Sequence, residues 1–471
     1  MTREHSEGKM KINRRRWAVR TISLCVAATA ISTFAALPQA QASGQANYQV
    51  VRSLPMTTDS LAAIPSLPPA RSAQRRTGDG LPPLPELVNP PQQVYEVDSG
   101  RYATSAATPL ATPGDPISPQ ECVDRYLGGF SGPVLYKNRF AACHSEFIVV
   151  DHFNCSASGC LPTGRAVAKW AMTWNMNWNA RQFTLTTRFW DWTFTGTVNV
   201  NMDIGVEFQC SKVITTGSTA KCSVPGSGWS KSISAWQAAD SQTSTITTSG
   251  EDPPSASEPV QINAEKRTFY AIRTYVFTYG GPGPYDHYSQ TGVVTAPFRC
   301  DIARSQNPNY AKSSDCVFHA ATGWLKLNTA DAEIAESARF IYDAHNNIGS
   351  TYPGNTGKYI PGKIGKTEPI QRLFYDANLR TANRNKSVAA CKAHWGANYT
   401  QRPDGLTNDC DEFPFATTYE GSFTVTEGML RTYAVRPVLS SHNQKVGSRL
   451  SLFVAEDHIL DGDDYYVTAY N

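Results

Sequence analysis

The clearest regularity in the chain is an alternation of period two. Val198, Val200, Met202, Ile204, Val206 and Phe208 alternate with Asn199, Asn201, Asp203, Gly205 and Glu207. That pattern predicts a strand over 198–208 with one dry and one wet face. Residues 183–189 alternate likewise, and 268–279 are dense in Tyr, Phe, Val and Thr, which favour strands. Stretches rich in Ser, Gly, Thr and Pro, such as 241–259, punctuate these runs. Short strands so separated predict an antiparallel, sandwich-like β domain over 121–320.

The period changes beyond residue 330. Ile334, Ala338 and Ile341 recur at helical spacing, with Glu333, Glu336 and Arg339 on the other side. A helix ending near His345 and capped by Thr329 is expected. Residues 377–391 are helix-compatible. Val446, Leu450 and Phe453 predict a helix over 444–456 with Asn443 as its N-cap. Asp461-Gly462 signals a turn into a last strand. The expected fold class is therefore α+β and multidomain, with the β domain followed by a smaller α+β domain over 330–471.

Two N-terminal segments fall outside both patterns. Residues 1–42 carry Lys9, Lys11, Arg14, Arg15, Arg16 and Arg20, then an apolar run, then Ala40-Gln41-Ala42. This is the layout of a cleaved secretory signal peptide, and it predicts an extracellular or cell-wall-associated protein without stable membrane insertion. Residues 43–120 are rich in Pro, Ser, Thr, Ala and Gln, which predicts a disordered linker or pro-segment. Of the 11 cysteines, Cys25 lies in the signal-like segment and ten remain. An even set in a secreted chain predicts disulfides. Pairing neighbours gives Cys122–Cys143, Cys155–Cys160, Cys210–Cys222, Cys300–Cys316 and Cys391–Cys410, although sequence leaves connectivity open. No Cys-x-x-Cys pair suggests zinc.

The formal charge of +3 excludes an overwhelming basic field. Lys363, Lys366, Arg372, Arg380, Arg384, Lys386 and Lys392 nevertheless concentrate positive charge near the C-terminus, which suits a phosphate-bearing partner as well as an ordinary solvated face. Nearby, Asp409, Asp411, Glu412 and Glu420 stand among Phe413, Pro414, Phe415 and Tyr419. Aromatics at that density imply carboxylates held against packed structure. Such groups suit a hard divalent cation or a general base.

The stretch Asp411-Glu412-Phe413-Pro414-Phe415-Ala416 with Glu420-Gly421 resembles the signature of the NucA/NucB deoxyribonuclease family. The start of the helix around Asn443-Gln444-Lys445-Val446-Gly447, the turn Ile459–Asp463 and Asn383-Arg384 are similar to further family segments, best over 369–471. The resemblance implies a secreted endonuclease with a ββα-metal-like core, DNA as substrate, and Mg²⁺ or Mn²⁺ as cofactor. It implies Glu420 as the metal ligand, with Asp411, Glu412, Arg372 and Asn443 as catalytic-site residues. One departure stands out: where the family tends to carry His-Arg or Asp-Arg, this chain has Gln371-Arg372, and glutamine cannot act as a base. Asp411, Asp376, His442 and His394 are the alternative bases. Two rival readings remain. One is a cell-surface or glycan-binding module, using Trp170, Trp174, Trp178, Trp190 and Trp192, with a degenerate nuclease fold. The other is an antibacterial nuclease toxin.

Overall fold

Long amphipathic strands build the frame. The computed structural model describes residues 46–62, 90–103 and 114–471, apart from short internal breaks at 157–158, 178–179, 213–216, 227, 255–262, 280–287, 308, 313–314 and 355–356. The signal-like segment and Trp178 lie outside the described residues. A seven-stranded sheet runs β1 (Ala46–Pro55), β4 (Ala141–Ser156), β5 (Gly159–Met176), β6 (Gln182–Gly196), β10 (Ser241–Ser249), β8 (Lys221–Ser223), with β3 (Leu135–Asn138) also on β4. A five-stranded sheet runs β13 (Cys316–Val317), β12 (Tyr288–Cys300), β11 (Thr268–Tyr279), β7 (Asp203–Lys212), β9 (Gly228–Ser232). Every pairing in both sheets is antiparallel. Phe183 of one sheet meets Phe298 of the other edge-on at 5.1 Å, and both belong to a single buried cluster. Short helices α1 (Thr58–Ala62), α2 (Pro119–Leu127), α3 (Ile233–Ala238) and α4 (Ala303–Gln306) flank this part.

The alternating run over 198–208 is only half strand. Asn199 accepts the Asn201 and Met202 backbone N–H groups through its side chain and carbonyl, so a turn precedes β7. The tryptophans are mainly core. Trp170 and Trp174 are fully buried and Trp190 nearly so, and Trp170 Nε1 donates to Thr187 Oγ1 at 2.9 Å. These three expose no face to a glycan, while Trp192 is half-buried and stacks on Phe194. All five neighbour pairs of cysteines form disulfides.

The remaining strands lie beside the C-terminal helices. A four-stranded sheet runs β15 (Ile370–Gln371), β18 (Asp464–Tyr470), β14 (Ala321–Asn328), β2 (Gln93–Asp98), with β14 parallel to both β18 and β2. The Pro-rich segment thus supplies two strands, β1 and β2; Val51, Met56, Tyr95, Val97, Tyr102 and Ile117 are among its buried apolar groups. Helices α5 (Ala335–Asn346), α6 (Ala377–Trp395) and α7 (Ser440–Glu456) complete this part. A two-stranded ribbon, β16 (Asn408–Phe413) on β17 (Ala434–Leu439), leads directly into α7. The protein is therefore mixed α+β, mostly strand, in several sheets. Thr329 does not cap α5, because its backbone and side chain bond the C-terminal Tyr470 and Asn471. All described residues belong to one compact unit, 40–471, and one apolar core runs from Trp170 through Leu325 to Phe453.

A buried ionic knot lies between the β-rich part and the C-terminal turn. Asp463 accepts from Arg139 at 2.9 Å and from Arg299 at 2.7 and 3.0 Å. Burial would raise its pKa, but Arg299 and Arg139 hold it well below the usual carboxylate range. Alongside, His458 Nε2 meets both oxygens of Asp301 at 2.9 and 3.0 Å. Removing one partner of a buried pair costs about 3–5 kcal/mol, since the other charge stays buried. Asp463→Asn should lower the stability read from a urea transition by about that much. An unchanged midpoint would show that the knot does not hold the parts together.

Candidate functional site

The ribbon splits the acidic motif. Successive residues of a strand point to opposite faces, so Asp409, Asp411 and Phe413 face one way, Cys410 and Glu412 the other. The first face meets α5 and α7. Phe413 touches the His345 ring of α5 at 4.9 Å. Asn443 Nδ2 and Gln444 Nε2 of α7 reach Asp409 Oδ2 at 3.5 Å each, long for hydrogen bonds. The second face meets α6, where Cys410 is bonded to Cys391 and Glu412 Oε1 stands 3.7 Å from Arg384 Nη1. Asn443 lies inside α7 and is not its N-cap, because the helix begins at Ser440 straight from β17.

Both central carboxylates are desolvated. Burial pushes Asp411 up to about 7; the Ser337 hydroxyl holds it down in part, although neither Ser337 Oγ nor Asp411 Oδ2 closes a hydrogen bond of good geometry. Burial likewise pushes Glu412 up to about 7 against the pull of Arg384, and Glu412 Oε2 has no hydrogen-bond partner among the described residues. Buried acceptors left bare are rare in native proteins and call for an explanation such as an absent ion. The Arg384 side chain, by contrast, is 55% exposed.

Glu420 lies elsewhere, beside β15. Its Oε2 accepts the Gln371 N–H at 2.8 Å, while the Gln371 side chain donates to Asp464 Oδ1 at 3.0 Å. Burial pushes Glu420 up to about 7, and the Asp464 charge adds to the rise. Gln371, at the position of the expected base, thus bridges two carboxylates. Arg372 turns inward. Its Nη1 donates to the carbonyls of Tyr310 at 3.0 Å, Val454 at 3.3 Å and Ile459, and its guanidinium stacks on Tyr310 and Phe374. It is 7% exposed, which leaves Arg384 as the guanidinium that faces solvent beside the motif.

The motif loop is held from α6. Asn383 is fully buried. It donates through Nδ2 to the Ala416 and Thr418 carbonyls at 3.1 and 3.2 Å and accepts the Phe423 N–H at 2.9 Å. Gly421 packs directly on this amide: a Cβ there would lie 2.2 Å from Asn383 Nδ2. The Asn383-Arg384 pair was legible as a family-like segment, but its two roles were not, since helix neighbours point in different directions.

The donor chemistry fits a hard cation. Mg²⁺ needs only one or two carboxylates and keeps several waters. Asp411 and Glu412 point to opposite faces of the ribbon and cannot share one ion, so a single carboxylate, Glu412 or Glu420, would supply the protein ligand. No three His, Cys, Asp or Glu side chains converge among the described residues, so any ion is lightly held by protein groups. Residues 363–468 match the family model described as deoxyribonuclease NucA/NucB, as the acidic motif had indicated. No curated protein and no solved structure matches the chain.

Two outcomes follow from this geometry. Gly421→Ala should destabilise the protein and reduce any activity of the site, and Asn383→Ala should cost less in the Gly421→Ala background than in the parent, because the clash and the bonds share one amide. Strictly additive unfolding energies would contradict the packing. The carboxylates also fix a pH dependence. Glu412 binds a proton in the folded chain up to pH about 7 but releases it near 4 when unfolded. Without metal, its contribution to stability therefore falls as pH rises from about 4 to about 7 and is level above. In EDTA, Glu412→Gln should lose less stability than the parent between pH 5 and pH 8 in urea titrations. Parallel curves would show that Glu412 does not titrate there.

Proposed function

We propose that the C-terminal region hydrolyses DNA phosphodiester bonds as a metal-dependent endonuclease. The observation that carries this reading is Glu412, a buried carboxylate raised to about 7 with one bare oxygen, beside the exposed Arg384 and inside the matched region. A base whose pKa lies near neutrality is suited to taking a proton at working pH. Arg384 donates hydrogen bonds to the non-bridging oxygens of the scissile phosphate. Glu412 takes a proton from the attacking water as its oxygen bonds phosphorus. The P–O bond to the leaving sugar oxygen breaks as that oxygen takes a proton from solvent water. Glu420 would hold a divalent cation, Mg²⁺ or Mn²⁺, which would supply positive charge to offset that on the phosphate oxygens. Asp411 and Asn443 set the ribbon and α7 around the site, and Arg372 fixes the 459–463 turn from inside. The ribbon leading into α7 has the strand–strand–helix order of the ββα-metal arrangement.

Secretion is part of the same reading. Five disulfides suit an oxidising compartment. No helix of the described residues is long and apolar enough to cross a membrane. The signal-like N-terminus supplies the route.

The test is degradation of supercoiled plasmid by the full chain with Mg²⁺ or Mn²⁺, with and without EDTA. Chelation should abolish cutting. Glu412→Gln should lower the rate at least about 100-fold, in line with loss of a general base, with little change in the Mn²⁺ midpoint. Glu420→Gln should move that midpoint upward. The rate should climb as pH rises through about 7, where Glu412 becomes ionised. Intact plasmid under all metal conditions would refute the reading.

A further inference from the structure

A polar cleft of about 550 Å³ opens next to the acidic ribbon, lined by Trp395, Asn398, Tyr399, Gln401, Asn408 and Arg436 among others. None of these side chains has a part in the chemistry above. We propose that this cleft receives an unpaired nucleobase next to the scissile phosphate, so that the preferred substrate is single-stranded or locally opened DNA. The inference rests on the nuclease reading and specifies its substrate.

The lining carries what a base requires. Trp395, at the end of α6, is 39% exposed, an unusual place for the largest apolar side chain. It is set in position from two sides, edge-on to Tyr352 at 6.1 Å and to His394 at 4.5 Å, while Tyr352 and His394 stack on each other at 4.3 Å. An anchored indole reaching a cleft is a stacking platform, and any base can use it because every base has a π face. The side-chain amides of Asn398 and Gln401 have no hydrogen-bond partner among the described residues. Each offers a donor and an acceptor, the combination found on base edges. The wall is rigid beneath them. Arg402 grips Glu336 of α5 through two bonds of 3.0 and 3.1 Å and Asn408 at 2.8 Å.

The cleft adjoins the proposed chemistry. Arg436 on its rim is the ribbon partner of Asp411 and is braced by Asp343 at 2.8 Å and the Ser350 carbonyl at 3.0 Å. Asn408 directly precedes Asp409. Burial raises the Tyr399 phenol, Asp409 and Glu412 raise it further, and Arg384 opposes them, so Tyr399 sits between cleft and site. A phosphate on Arg384 would leave its neighbouring nucleotide over this opening. In a duplex the base faces are covered by stacking, so only an unstacked base can meet Trp395.

The experiment compares binding of a fluorescent oligothymidylate and an abasic strand of equal length to the full chain in EDTA, by anisotropy. The parent should bind the base-bearing strand more tightly. Trp395→Ala should weaken that binding about tenfold, the scale of a lost base stack, bringing it to the abasic level, while Trp395→Phe keeps most of it. If Trp395→Ala lowers the melting temperature, Gln401→Ala on the neighbouring loop serves instead and should weaken the base-bearing strand severalfold. Equal binding of the two strands by the parent, or parental affinity in a folded Trp395→Ala, would overturn the proposal. Plasmid cutting by the parent in Mg²⁺ separates the two claims. Cutting with equal strand binding leaves the nuclease and removes the base site. No cutting with a Trp395-dependent preference leaves a single-strand-binding site and removes the nuclease.

Discussion

Asp463 carries the constraint on which the rest of the C-terminal region depends. Its carboxylate is buried between Arg139 and Arg299, both from the β-rich part. Once that ion pair is formed, the turn from Asp461 to Asp464 has little freedom. Asp461 takes the backbone N–H groups of Phe374 and Tyr375 and the Tyr419 hydroxyl. Asp464 takes the Gln371 side-chain amide, and Glu420 takes the Gln371 backbone N–H. Three neighbouring carboxylates thus tie the β-rich part, strand β15 and the motif loop to one turn. A charge can be left in such surroundings only if it is paired, so the chain of bonds is stiff from Arg299 to Glu420.

The acidic motif obeys the opposite rule. Asp411 is buried without an ion-pair partner and Glu412 with only Arg384, 3.7 Å away, and burial raises both toward neutrality. Desolvation of that kind is costly and is offset elsewhere. The Cys391–Cys410 bond closes a loop with a sequence separation of 19, worth about 3 kcal/mol in the chain-entropy account. It fastens the strand to α6 on the Glu412 face, while Asn383 fastens the loop beyond. The fold thereby spends stability to keep carboxylates dry beside a solvent-facing guanidinium, which is the combination that proton transfer at a phosphate requires.

Much of this was legible in sequence where the signal is local. Period-two runs marked the antiparallel sheets, cysteine order marked the disulfides, and the Asp-Glu-aromatic-Pro stretch marked the family. What escaped depends on distant partners. Spacing placed Asp411 beside Glu412, but a strand sends them to opposite faces. Arg372 had the composition of a phosphate clamp; three carbonyls from two other segments turned it inward. Asn443 had the character of a cap, yet the helix starts at Ser440 because β17 runs into it without a break. Gln93–Asp98 sits in a proline-rich segment and pairs as a strand only because β14, more than two hundred residues later, offers it a parallel edge. The aromatics of 170–192 fit core packing better than a glycan platform on sequence, since aromatics commonly fill sheets, and Trp170, Trp174 and Trp190 are buried.

The central claim is that Glu420 is kept protonated by burial until a cation replaces the proton. Calorimetric titration of the full chain with Mn²⁺ near pH 6, repeated in buffers of different ionisation enthalpy, counts the protons exchanged. Ligands that must deprotonate release protons on metal binding. With Glu420 raised to about 7, the account predicts saturable binding with net proton release that fades by pH 8 and is lost in Glu420→Gln. Saturable binding with no proton release near pH 6, or no binding at all, would contradict it.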